Sequence, residues 1–373
     1  MLFNTVFLLG AIHGFVLALV LATKKVNRLS NRIMGGLMLV FSVDLVMASF
    51  IGFGSHLQFP HLIGLDFAIT LLYGPLLFLY TSTLISGQAK LSGKDYLNFT
   101  PFLLLLIYTL PFYLMSGEEK IESITMDTGL NYGPGLITDL KIGINLIYIA
   151  FVLVLLVRYR KKLKDNFSSL EKRNLDWLQW FILGVVILAV IATTTNFLST
   201  IYGADVLYTN INLLGITVYV YSIGYMGLRQ PEFFAEFEDQ VTKEKTEANV
   251  SYSKSGLDEN TAKTMMEKLS EIMEKEKPYI DNELNLSQLS DAVGISAHNL
   301  TEIINTYGGK NFYDFVNSYR VEEVKQRISE KTSENLTILA IGLESGFNSK
   351  SSFNSVFKKH TGMTPSEFRK TVS

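Results

Sequence analysis

The chain has 373 residues, of which 18% are charged and 48% apolar, and its 33 Lys/Arg nearly balance its 35 Asp/Glu. A net charge of −2 excludes a globally basic nucleic-acid binder, so any DNA contact must come from a local patch. Cysteine is absent, which rules out disulfides, thiolate zinc sites and cysteine nucleophiles.

Charge is sparse before about residue 230 and dense after it. From Leu2 to Thr23 the chain is apolar apart from Asn4, Thr5 and His13, long enough to cross ~30 Å of hydrocarbon. It lacks a signal peptide's basic n-region and a small-x-small site before Lys24, so it reads as a span. Apolar segments at Ile33–Gly54, Leu62–Ser86, Tyr96–Ser116, Asp139–Val157, Trp177–Thr200 and Leu207–Leu228 bring the expected spans to seven. Basic residues fall in alternate loops. Lys24, Lys25, Arg28 and Arg32 follow the first span, Lys90 and Lys94 the third. Arg158, Arg160, Lys161, Lys162, Lys164, Lys172 and Arg173 follow the fifth. The exception is Lys120, beside Glu118, Glu119 and Glu122. The positive-inside rule then puts the N-terminus outside and everything after Arg229 in the cytoplasm. Tyr96, Trp177, Trp180 and Tyr208 suit interfacial anchoring.

Polar groups within spans are the sensing candidates. His13 and Asp44 lie mid-span on antiparallel neighbours and are expected to meet. Asp66, Asn196, Asn210 and Asn212, with Thr193, Thr194 and Thr195, are expected to line a pocket open to the outside. The alternative is that these groups only hydrogen-bond between helices. The last span has no Lys for a retinal Schiff base, and the spans carry a single His, so no hydrolase site converges. His56 and His61 in a loop read as polar surface; no metal or cofactor is assigned, and no enzyme activity.

Pro231 ends the last span, and Glu232 to Asn260 reads as a juxtamembrane linker reaching at most ~100 Å. A helix follows from Leu257, with Met265, Met266, Leu269, Ile272 and Met273 as its stripe, and Pro278 stops it. Leu286 to Asn305 then reads as helix, Gly294-Ile295 turn, Ser296 cap and a second helix carrying Leu300, Ile303 and Ile304 on one face. Leu336 to Arg369 repeats it. Leu336, Leu339 and Leu343 are read as an apolar face, Gly346-Phe347 as the turn and Asn348 and Ser349 as cap oxygens. Phe353, Val356 and Phe357 form the inner face of the helix that follows. Leu289, Gly294 and Ile295 match Ile341, Gly346 and Phe347 at an offset of 52, and matches after the turn run at 53. Phe312 to Ile328 lies between as an amphipathic spacer helix, with Phe315, Tyr319, Val324 and Ile328 inward.

From about Leu257 onward the chain resembles the DNA-binding domain of AraC-family bacterial transcription regulators. The likeness rests on the G-I-S turn, the NSYRVEEVKQRI stretch, the ESGFNSKSSFNSVFKKHTGMTPSEFR signature and the unit spacing. It implies that the second helix of each unit enters successive major grooves of promoter DNA. Carried over by position, the DNA-facing residues are His298, Asn299, Thr301 and Glu302 in unit one and Lys350, Ser351, Ser352 and Ser355 in unit two. Lys358 and Lys359 are implied phosphate contacts. Two departures stand out. Glu302 and Asn305 occupy places usually basic, and Gly342 replaces a usual Ala. Residues 257–373 carry 14 Lys/Arg against 17 Asp/Glu, whereas Lys350, Lys358, Lys359, Arg369 and Lys370 concentrate near the end.

The expected fold is all-α: residues 1–229 a seven-span membrane sensor, 230–256 a linker and 257–373 a double helix-turn-helix domain. The expected protein is a multi-pass, one-component regulator of the bacterial inner membrane. Its expected partners are promoter DNA, the bilayer, an unidentified signal, RNA polymerase and a second copy of the chain. The alternative is a transporter or channel with a regulatory DNA-binding tail, for which only Gly74-Pro75 and Pro111 offer breaks.

Overall fold

Why the chain folds as it does follows from two different apolar patterns, uninterrupted before residue 230 and periodic after it. In the computed structural model, which describes residues 1–125, 135–170, 176–203, 205–229, 259–330 and 336–372, the regular structure of the described residues is helical, joined by turns and with one isolated β-bridge. Most of the expected linker, Glu232 to Asn260, and Lys172 and Arg173 lie outside the described residues. Two units result. The first is Met1–Leu156 with Asp176–Val250; the second is Val157–Leu175 with Ser251–Ser373.

In the first unit α1 (Leu2–Thr23) and α2 (Arg28–Gly52) pack along their length. Small residues permit the approach: a Cβ on Gly14 would strike the Ser42 hydroxyl, and one on Gly35 would meet the Ala18 carbonyl at 3.0 Å. A 3-10 turn, Ile69–Leu72, runs into α3 (Tyr73–Ser86). Next come α4 (Thr100–Tyr113), α5 (Gly117–Thr125), α6 (Leu136–Asn166), α7 (Asp176–Tyr202) and α8 (Asp205–Arg229). Among the described residues, six helical stretches are long and apolar enough to cross a membrane. The expected fourth span differs. Tyr96–Ser116 is divided between a 3-10 turn, Asp95–Phe99, and the 14-residue α4, which has Pro111 inside it; Pro101, in the first turn of α4, supplies no N–H to carry an α ladder back across the junction.

The second unit is ordered by caps and glycines. After α9 (Glu259–Lys275), helix α10 (Leu286–Val293) opens with a reciprocal capping box between Asn285 and Gln288. Gly294, at φ 78°, ends it, and Ser296 caps α11 (Ala297–Thr306). α12 (Phe312–Ser329) connects to α13 (Ile338–Glu344), capped by Thr337. Gly346 turns at φ 96°, Ser349 caps α14 (Lys350–Thr361), and α15 (Pro365–Val372) closes the chain.

Two separate cores form. Leu269, Met273, Leu289, Val293, Leu300 and Ile304 surround the start of α12, whereas Ile341, Phe347, Phe353 and Phe357 surround its end. α12 serves both: Phe312, Phe315 and Val316 enter the first core, Val321, Val324 and Ile328 the second. Tyr319 is only partly buried. On α13 the expected inner face is corrected: Leu339 and Leu343 are 36% and 44% exposed, while Ile341 is fully buried. Two apolar stripes adjoin on this short helix. The one containing Ile341 also carries Gly342 and ends in the buried Ser345, which lets Phe353 approach.

Candidate nucleic-acid interface

Each helix-turn-helix presents its second helix by burying one side of it. On α11 Leu300, Ile303 and Ile304 are at most 1% exposed, so His298 and Asn305 face outward, with Asn299, Thr301 and Glu302 half-buried beside them. On α14 Phe353, Val356 and Phe357 are buried, and Lys350, Ser351, Ser355, Lys358 and Lys359 are exposed; Ser352 is half-buried. Lys350, Ser351, Asn354, Ser355 and Lys358 follow helical i, i+4 spacing and share one outer face.

The N-terminal ends of both helices are fixed by serines. Ser296 Oγ accepts from Asn299 N–H at 3.1 Å and Ser349 Oγ from Ser352 N–H at 3.2 Å. Asn348 does not share this capping; its amide donates to Ser169 Oγ at 2.6 Å and to the Asn282 carbonyl at 3.3 Å. Thr301 donates its hydroxyl to the Ala297 carbonyl at 2.9 Å. Lys359 is tied back onto α12, its ammonium 2.6 Å from Asp314. Lys350 and Lys358 are therefore the more available cations of α14. Gly342 fits its place for a steric reason: an added Cβ would lie 2.7 to 2.9 Å from the Phe353 ring. Charge differs between the two helices, a half-buried Glu302 on one against exposed Lys350 and Lys358 on the other.

In the first unit the polar groups take other partners than expected. His13 stacks on Tyr221, ring centroids 4.6 Å apart, and Asp44 accepts from the Tyr73 hydroxyl at 2.6 Å. The expected His13–Asp44 contact is replaced by these two, since each group faces an aromatic from α8 or α3. Buried Asp66 Oδ1 and His13 Nε2 have no hydrogen-bond partner among the described residues. A cavity of about 290 Å³ is lined by Tyr73, Lys141, Asn145, Thr195, Asn196 and Asn212, with apolar walls that include Phe41, Leu77 and Leu188. Asn196 donates to Asp139 at 2.7 Å; Asn210 is half-buried on α8 near the lining residues Tyr208, Thr209 and Asn212. Thr193 and Thr194 are exposed, and only Thr195 of the three lines the cavity.

Lys141 and Asn145 were not singled out by sequence. Their i, i+4 spacing at the start of an apolar stretch was the available signal. Asn145 Oδ1 accepts from Gly74 N–H at 2.8 Å and its amide donates to the Thr70 carbonyl, satisfying backbone at the Gly74-Pro75 break. Lys141 lies over the Phe67 ring at 4.4 Å. No group of three or more metal-ligating residues occurs among the described residues; His56 sits edge-on to Phe50.

Comparison with known proteins bears on the second unit. The family described as "Helix-turn-helix domain" matches residues 289–371. An uncharacterized HTH-type transcriptional regulator of Staphylococcus aureus strain COL is 32% identical over 103 residues, 28% of this chain and 13% of that protein. The probable transcription factor PqrA of Proteus vulgaris is 30% identical over 86 residues, 23% of this chain and 68% of that protein. A solved structure of a protein of unknown function from Listeria innocua shares 28% identity, covering 29% of this chain and 97% of that one, at a TM-score of 0.25. The chain thus spans a small part of the S. aureus regulators and two thirds of PqrA. On the match at residues 289–371, the chain belongs to the AraC-type helix-turn-helix transcription regulators.

Proposed function

We propose that the chain is a membrane-embedded, one-component transcription regulator that reads promoter DNA through α11 and α14 and answers to a signal received by residues 1–229. The observation that carries this reading is the pair of capped, one-side-buried helices set on a common connector. α12 has 18 residues and so a length of ~27 Å, of the order of the ~34 Å between successive major grooves on one face of DNA. His298, Asn299, Thr301 and Glu302 would address one groove, and Lys350, Ser351, Ser352 and Ser355 the next. Lys358 is the phosphate contact best supported, and Lys359 contacts phosphate only by giving up Asp314. Glu302 can accept from a cytosine amino group.

Membrane residence is supported by the outward faces of the first unit. Leu8, Leu9, Phe15, Leu104, Ile107, Phe151, Val154 and Phe197 are all exposed, a surface that water disfavours and lipid tolerates. Counting the 3-10 turn and α4 together as a further crossing makes seven, an odd number that supports a reading with 257–373 on the basic, cytoplasmic side of a bacterial inner membrane. The cavity around Tyr73, Lys141 and Asn145 is the proposed signal pocket, with Asp44 reached through Tyr73.

Genome-wide mapping of DNA bound by the full chain tests the proposal. The expected result is discrete promoter peaks that vanish in the Lys350→Ala/Lys358→Ala double variant. Peaks that persist in that variant would remove α14 from the interface.

A further inference from the structure

The second unit contains a piece of chain from far upstream, and that piece sits where its two cores meet. Between the cores, α12 buries two polar side chains, Asn317 and Arg320, each 1% exposed. Among the described residues, no carboxylate accepts a hydrogen bond from Arg320. Its guanidinium donates to the carbonyls of Tyr279 (2.7 Å), Asp281 (2.7 Å) and Ser168 (3.0 Å), to Ser168 Oγ (3.0 Å) and to Asn317 Oδ1 (3.2 Å). Burial pushes its pKa down to about 10. A buried cation is tolerated only when its donors are filled, and Ser168 fills two of them.

The segment Phe167–Ser169 reaches every part of this junction. Phe167 forms an antiparallel bridge with Asn285, the cap of α10. Ser168 donates both its N–H and its hydroxyl to the Leu284 carbonyl, at 3.2 and 2.7 Å, and its own carbonyl accepts from Asn317 at 3.1 Å. Ser169 Oγ accepts from Asn348, in the turn that leads into α14. Ser168 and Ser169 are 1% and 7% exposed. The other side of the junction leaves no slack: a Cβ on Gly346 would strike the Tyr279 carbonyl oxygen and lie 2.8 Å from Arg320 Nε.

We propose that Phe167–Ser169 is a wedge that fixes the placement of the two helix-turn-helix heads relative to each other, so that displacing it changes how the pair addresses DNA. The wedge follows α6 directly in sequence and precedes α7 by a few residues. Any movement of those helices that pulls on residues 167–169 acts on the alignment of α11 and α14 without passing through residues 230–258. When the wedge leaves, Arg320 keeps its bonds to Tyr279, Asp281 and Asn317, Asn348 keeps only Asn282, and the two cores remain intact. The heads then stay folded while their mutual orientation loosens.

The absence of native cysteine makes the test direct. In the full chain, Asp291→Cys and Lys370→Cys place one spin label on each head, at exposed sites outside the proposed DNA face. Electron–electron distance measurement should give one narrow distribution. Ser168→Trp, too large for the buried site, should broaden it, with helix content by circular dichroism unchanged. A distribution equally narrow with and without Ser168→Trp would overturn the proposal. A second variant, Ser169→Cys/Asn348→Cys, should be joined by a short bifunctional thiol reagent in intact membranes; failure of the two thiols to react together would overturn it independently. Recovery of sheared genomic DNA should fall severalfold in Ser168→Trp and stay near wild type in the cross-linked pair; unchanged recovery in Ser168→Trp would deny the wedge its role. The distance measurement needs no DNA, so it separates failure of the wedge from failure of DNA binding.

Discussion

The two helix-turn-helix heads share a plan and differ in how they are finished. Both use glycine to turn, serine to cap and three apolar residues to seat the second helix. The first head adds a reciprocal capping box and carries a half-buried Glu302; the second adds close Gly342–Phe353 packing and carries Lys350 and Lys358 outward. The difference suggests a division of labour, with attraction to the phosphate backbone concentrated in the second head and discrimination in the first.

That comparison can be broken most forcefully at the cores. Phe353→Ala should cost about 3–5 kcal/mol and loosen the second head, while calorimetry still shows the first melting cooperatively. A single shared transition at lower temperature would mean the two cores act as one. Gly342→Ala should cost about 1–3 kcal/mol, because the Phe353 ring must shift. Its counterpart in the first head, Ser290, bonds the Ser287 carbonyl, and Ser290→Ala should cost less in the same denaturation series.

At the surface, Lys358→Ala should reduce the slope of log affinity against log salt by about 1, measured on fragments recovered by the genomic mapping. His298→Ala should leave the slope alone and alter which sequences are preferred. If the effects are reversed, the division of labour is wrong. Ser296→Ala and Ser349→Ala should each cost about 1 kcal/mol, equally in the two heads, by chemical denaturation.

The smallest effect concerns pH. Burial holds the His360 imidazole below its ordinary range; Lys359 and Lys310 push the same way, while Asp314 and Glu322 oppose. The unfolded chain therefore binds the proton more readily. Stability is complete above the unfolded value of roughly 6.5 and declines as pH falls through the folded value. His360→Gln should flatten that decline between neutral and mildly acid pH in urea titrations.

The repeated turns, caps and inner faces of α11 and α14 were legible because each is local: a Gly, a Ser and three apolar residues within about a dozen positions. α13 was misread for the same reason, since Leu339 and Leu343 repeat as regularly as Ile338 and Ile341 and only the tertiary partner Phe353 separates the stripes. The Asn285–Gln288 box was legible as an N-x-x-Q pattern and passed unread. The fourth apolar stretch has the composition of a span, but its helical geometry is split at Thr100. Arg320, Asn317 and Ser168 could not have been joined by any window along the chain, because some 150 residues lie between them.

The composite build of the second unit also bears on its synthesis. Residues 157–175 leave the ribosome roughly 75 residues ahead of Ser251, which at ~5–20 residues per second is a wait of ~4–15 s. During that interval Ser168 has nothing to bind, and α7 and α8 are still being made. The DNA reader is therefore finished last, on a template laid down early. A fragment expressed from residue 257 onward would begin life with Arg320 unfilled on one side.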